Sequence, residues 1–69
     1  MKIYTVEIST VGGETVQAIF NRTDMDAALS AWHQFMASCI ANESCTSATC
    51  LIVDENGNVL RRDGWRRNV

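Results

Sequence analysis

The 69-residue chain has no proline, four glycines, one histidine and one lysine, and aromatic residues make up only 7% of it. Without proline there is no Pro-rich linker, and with so little glycine there is no flexible spacer, so residues 1–69 are expected to form a single domain. The sole glycine pair, Gly12-Gly13, lies between two strand-like segments and precedes no helix, which excludes a phosphate-cradling loop. No apolar run approaches the roughly 20 residues that a membrane-spanning helix needs. The opening MKIYTVEIST alternates and lacks the unbroken apolar core of a secretion signal, so the expected location is cytoplasmic, with no membrane contact. The net charge of -2 excludes both a uniformly basic nucleic-acid binder and a heavily acidic mimic of nucleic acid.

What is present is an ordinary globular composition, 46% hydrophobic and 20% charged. A domain of this size forms a marginal core and often leans on a disulfide, a metal or another copy. Lys2 to Thr10 alternates, with Tyr4, Val6 and Ile8 on one side and Ile3, Thr5, Glu7 and Ser9 on the other, which is the period of a strand. Gly12-Gly13 supplies a tight turn, and Thr15 to Phe20 alternates again with Val16, Ala18 and Phe20 together. A helix follows. Thr23 is placed to cap it and Asp26 to complete a capping box. Met25, Ala28, Leu29, Trp32, Phe35, Met36, Cys39 and Ile40 fall within about 140° of one another on a helical projection. Asn42 is a candidate left-handed cap at its end. Ser47 to Asp54 is apolar on both faces, Asn56-Gly57 marks a hairpin turn, and Val59 to Asp63 returns as the last strand.

The expected fold is therefore α+β, a two-layer β-β-α-β-β arrangement. Strand order 2-1-3-4 makes every neighbouring pair antiparallel and places the most apolar strand inside the sheet, with one helix on one face.

All three cysteines, Cys39, Cys45 and Cys50, lie in one short stretch with His33 upstream. A helical Cys–His pair needs a spacing of three or four, whereas His33 and Cys39 are six apart. Cys45 and Cys50 are an odd number apart and would point to opposite faces of a strand, and there is no C-x-x-C knuckle. The thiols read as small buried hydrophobes rather than as metal ligands or nucleophiles, so neither cofactor nor metal is expected. If a disulfide forms, Cys39 with Cys50 is the expected pair. His33 with Asp26 is a solvated flank of the helix with no nucleophile beside it, and no catalytic constellation is found.

Two surfaces remain. One helix covers one sheet face. If Cys50 and Ile52 face it, Leu51 and Val53 face away, and Ile3 and Ile19 join them if Tyr4, Val6, Ala18 and Phe20 form the core. Such a patch suits self-association, most simply as a dimer, or a protein partner. The other surface is Arg61-Arg62-Asp63-Gly64-Trp65-Arg66-Arg67, locally positive in an acidic chain. Arg61, Arg62, Arg66 and Arg67 with Trp65 suit an anionic partner such as a nucleic-acid backbone; the competing reading is that Trp65 packs and its arginines stay solvated. Such a short tail lacks the footprint of most nucleic-acid modules, so the packing reading is preferred.

Taken together, the opening MKIYTVEI, the helical run Ala27 to Ser38, the strand Cys50-Leu51-Ile52-Val53-Asp54, the turn Glu55-Asn56-Gly57-Asn58-Val59 and Trp65 resemble small open reading frames of phages and prophages of gut bacteria. The resemblance spans nearly the whole chain and implies no activity. It implies an accessory protein of a mobile element that binds a host or viral protein. The expected function is thus a non-enzymatic interaction module. The alternatives are an anion binder acting through the arginine segment and, after it, a thiol or metal protein.

Overall fold

The computed structural model describes residues 2–67. Strand β1 runs Ile3–Val11, β2 Glu14–Arg22, helix α1 Met25–Ala41, β3 Cys45–Asp54 and β4 Val59–Arg66. The sheet has the order β2-β1-β3-β4 with all neighbours antiparallel, and α1 packs on one face. The β-β-α-β-β topology is thus the expected one. Gly12 and Gly13 sit at φ 60° and 83°, so the two-residue turn between Val11 and Glu14 has the positive φ at both centres that a tight hairpin requires.

Both helix ends depart from expectation by local chemistry. Asp24, not Thr23, is the cap: its Oδ1 accepts the Ala27 backbone N–H at 2.8 Å, and its carboxylate also suits the positive end of the helix dipole. At the other end Asn42 is extended, at φ -91° and ψ 108°, rather than left-handed. Its N–H bonds back to Ser38 and Cys39, and its side-chain oxygen accepts the Ser44 N–H at 3.0 Å, so the chain leaves the helix without a positive-φ residue. The last strand continues beyond Asp63 to Arg66, which makes the arginine segment part of the sheet rather than a tail.

Strand pairing fixes the faces. Thr5 lies opposite Ile52 and Phe20, and Glu7 opposite Cys50 and Ala18. Because residues directly opposite share a face, Ile3, Thr5, Glu7, Phe20, Cys50 and Ile52 form the helix-covered side, and Tyr4, Val6, Ile8, Ile19, Leu51 and Val53 the open side. One buried cluster joins Ile3, Ala28, Trp32, Cys50 and Ile52, flanked by Met25, Leu29, Phe35 and Met36. A second joins Cys39, Cys45 and Ala48, flanked by Val11, Phe35, Met36 and Trp65. Among the buried hydrophobic residues described, only Ile3, Trp32 and Ile52 are large; the others are alanine or cysteine. The core under the helix is thin, and the helix rests mainly on β1 and β3, leaving β2 largely bare.

Candidate interaction surfaces

The open face is the larger candidate site. Val6 lies directly between Ile19 on β2 and Leu51 on β3, Tyr4 lies beside Val53, and Val53 lies beside Val59 on β4. Ile8 continues the stripe between Gln17 and Thr49. Aliphatic side chains therefore run across all the strands, and among the described residues no second layer lies over them. Of the residues expected on this face, Ile19, Leu51 and Val53 lie on it, whereas Ile3 does not: it is 2% exposed, beneath the helix. The reason is the pleat. Once Cys50 and Ile52 turn toward α1, the β1 residues opposite them, Thr5 and Glu7, must follow, and Ile3 shares their parity. The same step turns Tyr4, Val6 and Ile8 outward, away from the core in which Tyr4 and Val6 were expected. Their alternation was visible in the sequence, but hydropathy alone placed the stripe on the wrong side.

The helix-covered side, besides the apolar core, also carries polar groups. Thr5 is fully buried, and its hydroxyl accepts the Nε–H of Arg22 at 3.0 Å. Arg22 Nη2 also donates to Glu7 Oε2 at 3.2 Å. Burial pushes the Glu7 carboxyl above its usual range, an effect that the charge of Arg22 and its hydrogen bond only partly offset. Glu7, Arg22 and Phe20 line a shallow groove of about 320 Å³ against Gln34, Phe35 and Ser38 of α1. Its acid and its base are spent on each other.

The arginine segment splits by parity. Trp65 packs on the Cys39, Cys45 and Ala48 cluster at the end of the helix, and Arg67 stacks on its ring at 4.8 Å. Arg67 Nη2 donates to the carbonyls of Ile40 at 3.1 Å and Asn42 at 3.3 Å at the end of the helix, where the last carbonyls have no intrahelical donor; the Asn42 carbonyl also accepts the Cys45 N–H at 2.9 Å. Arg61 covers Trp32, its guanidinium 4.2 Å from the ring centroid. Arg62, opposite Leu51, and Arg66, opposite Ser47, emerge on the open face. The segment therefore does not present all its arginines to one partner.

The thiols also separate. Cys50 sits in the cluster around Trp32, while Cys39 shares the other cluster with Cys45, so the neighbour of Cys39 is Cys45 and not Cys50. All three are free and buried. Burial pushes both Cys39 and Cys50 up to about 11, for Cys39 with the adjoining Cys45 adding to the effect. His33 is exposed and meets Trp32 edge to face at 4.6 Å. Among the described residues no group of three histidine, cysteine, aspartate or glutamate side chains is arranged to hold a metal ion. No helix among them is long and apolar enough to cross a membrane.

Comparison of the chain with models of protein families, with curated proteins and with solved structures returned no match.

Proposed function

We propose that the protein is a non-enzymatic interaction module that self-associates through the open face of its sheet. The observation that carries this reading is an apolar stripe on the uncovered side of the sheet, while polar groups are spent beneath the helix. Thr5, Glu7 and Arg22 lie on the side that the helix covers, while Tyr4, Val6, Ile8, Ile19, Leu51 and Val53 occupy the side that no other described element covers. Soluble monomers rarely leave such contiguous apolar surface bare, and a domain with so thin a core gains most from covering it. The resemblance to small phage and prophage proteins supports a role as an accessory of a mobile element in the cytoplasm of its host, with a host or viral protein as a further ligand of the same face. The anion-binding alternative has weaker support, since Arg61 and Arg67 are engaged within the fold and only Arg62 and Arg66 stand clear on the open face.

Analytical ultracentrifugation of the intact chain tests the proposal. Assemblies larger than the Leu51→Asp and Val6→Asp variants form are expected, with both variants retaining the wild-type circular dichroism spectrum. Folded variants of undiminished mass, or a wild-type monomer at high micromolar concentration, would sink it.

A further inference from the structure

The two edges of the sheet are built differently. On β4 the ladder shifts between Ile52 and Val53, and the strand carries Arg61, Arg62, Asp63 and Arg66. A bulge and clustered charge are the usual means of blunting an edge. β2 has neither. Its nine residues pair with β1 without a register shift, its only charges are Glu14 and Arg22 at the two ends, and Val16, Ile19 and Phe20 stand 54%, 62% and 41% exposed. A long, regular, apolar edge of this kind is a template for another strand.

We infer that β2 pairs antiparallel with β2 of a second copy about a twofold axis at Ala18, joining two four-stranded sheets into one. The geometry selects this register. Val11 and Glu14 close a two-residue turn and so form a hydrogen-bonded pair. Alternation then directs the backbone groups of Val16, Ala18 and Phe20 toward β1 and those of Thr15, Gln17, Ile19 and Asn21 outward. At the far side of the sheet the same alternation is met by the Arg67 N–H, which donates to the Thr46 carbonyl at 2.8 Å. With the axis at Ala18 the whole strand is paired. Thr15 then bonds Asn21 of the second copy and Gln17 bonds Ile19 of the second copy, so every outward group finds a partner.

The side chains are self-complementary in this register. Glu14 meets Arg22 of the second copy, Val16 meets Phe20 of the second copy, and the crowded twofold position holds only alanine. Arg22 spends Nε on Thr5 and Nη2 on Glu7, and its Nη1 makes no bond among the described residues. Val16 and Phe20 lie on the helix side of the sheet, where α1 leaves β2 uncovered, so the pair covers apolar surface from both copies. An isologous contact of this kind closes on itself and leaves only the charged, bulged β4 edges outside. It uses the backbone edge of β2 rather than the open face, sharing only the Ile19 side chain with it, and neither contact requires the other.

Cysteine scanning of the full-length chain reads the contact directly. At a non-hydrogen-bonded antiparallel pair the Cα atoms are about 4.5 Å apart, within disulfide range. Ala18→Cys oxidised with copper–phenanthroline is therefore expected to give a covalent dimer at least about ten times faster than Asn56→Cys in the distant turn, because the interface holds the two thiols at a high effective concentration. The crosslink should persist in an Ala18→Cys, Leu51→Asp double variant, which separates this contact from the open face. Ile19→Pro removes an outward N–H that the β1 ladder does not use and should abolish the edge dimer. Crosslinking at Ala18→Cys no faster than at Asn56→Cys, or a folded Ile19→Pro protein that still crosslinks through Ala18→Cys, overturns the inference.

Discussion

Arg67 donates its Nε–H to the carbonyl of Cys45 at 3.2 Å, tying the last described residue to the first residue of β3. The same guanidinium serves the carbonyls of Ile40 and Asn42 and lies on Trp65. A planar fork with donors on several edges can do all of this together, whereas an ammonium cannot. Arg67→Ala is expected to lower stability by about 1–2 kcal/mol, with Arg67→Lys recovering little of it. Arg62→Ala should stay within about 0.5 kcal/mol of wild type, as surface changes usually do. Urea midpoints at equal protein concentration check all three.

Trp32 is 6% exposed and is capped by Arg61, yet its Nε1–H has no partner among the described residues. Truncating a buried indole to alanine costs about 3–5 kcal/mol, comparable to the whole stability of so small a domain. Trp32→Ala should therefore be largely unfolded at room temperature. Trp32→Phe should remain folded, because it keeps an aromatic ring in the site and removes a donor that had no acceptor. Circular dichroism melts of the two variants decide between this and a purely volumetric core, in which Phe would fall midway.

Trp65 shows how its burial and the charge of its neighbours separate. It packs beneath the end of α1 against Cys39, Cys45 and Ala48, so Trp65→Ala is expected to lower the melting temperature by an amount that salt hardly changes. Nucleic-acid binding through the segment would instead appear in gel shifts as an affinity falling steeply with salt and flattening by about two contacts in Arg62→Ala, Arg66→Ala. The first outcome is expected, and a salt-dependent shift with unchanged melting would reverse it.

The topology was legible because each element carries its own signal: period two in Ile3–Val11, glycines at the turn, a wide apolar arc from Met25 to Cys39, and Asn56-Gly57 before the last strand. The face that the helix covers was not. Alternation separates Tyr4, Val6 and Ile8 from Ile3, Thr5 and Glu7 but does not say which set is inside. The β2 to β3 crossover chooses its side by handedness, which hydropathy does not encode. Reading the apolar set as core sent Ile3 outward and Tyr4 inward. The buried Thr5 with its Arg22 bond has no one-dimensional signature at all, since its partner is 17 residues away. The extension of β4 past Asp63 was hidden by charge and glycine: Gly64 and Arg66 around Trp65 look like a solvated tail, and only pairing with Ser47, Ala48 and Thr49 makes them a strand.

Cys39 and Cys50, pushed up to about 11 by burial, hold roughly one thiolate in a thousand at pH 8. Their reaction with Ellman's reagent is expected to be limited by opening of the fold, with a rate that levels off as reagent is raised and climbs sharply once urea unfolds the chain. A rapid native-state phase proportional to reagent would show that at least one thiol is reachable and would reopen the redox reading.

The acid limb of stability should contain two opposed contributions. Asp54 accepts the backbone N–H of Asn58 at 2.9 Å, its side-chain amide at 3.1 Å and the Asn56 N–H at 2.9 Å, and these bonds, those from Asn58 foremost, hold its carboxyl below the usual value. A depressed folded-state value means stability that is complete above the ordinary carboxylate range and is lost as pH falls through the folded value. Glu7 behaves oppositely. Its folded value is raised by burial, so its ionisation opposes folding at neutral pH, and that penalty lifts as pH falls through the raised value toward the ordinary one. On acidification wild type should first gain on Glu7→Gln, at pH values above the ordinary carboxylate range, and only at lower pH lose ground to Asp54→Asn. Urea midpoints of the three proteins from about pH 3 to pH 7 test the order. If wild type and Glu7→Gln run parallel across that range, the ion pair with Arg22 fully offsets the cost of burying Glu7, and the helix-covered face is less unfavourable to charge than its geometry indicates.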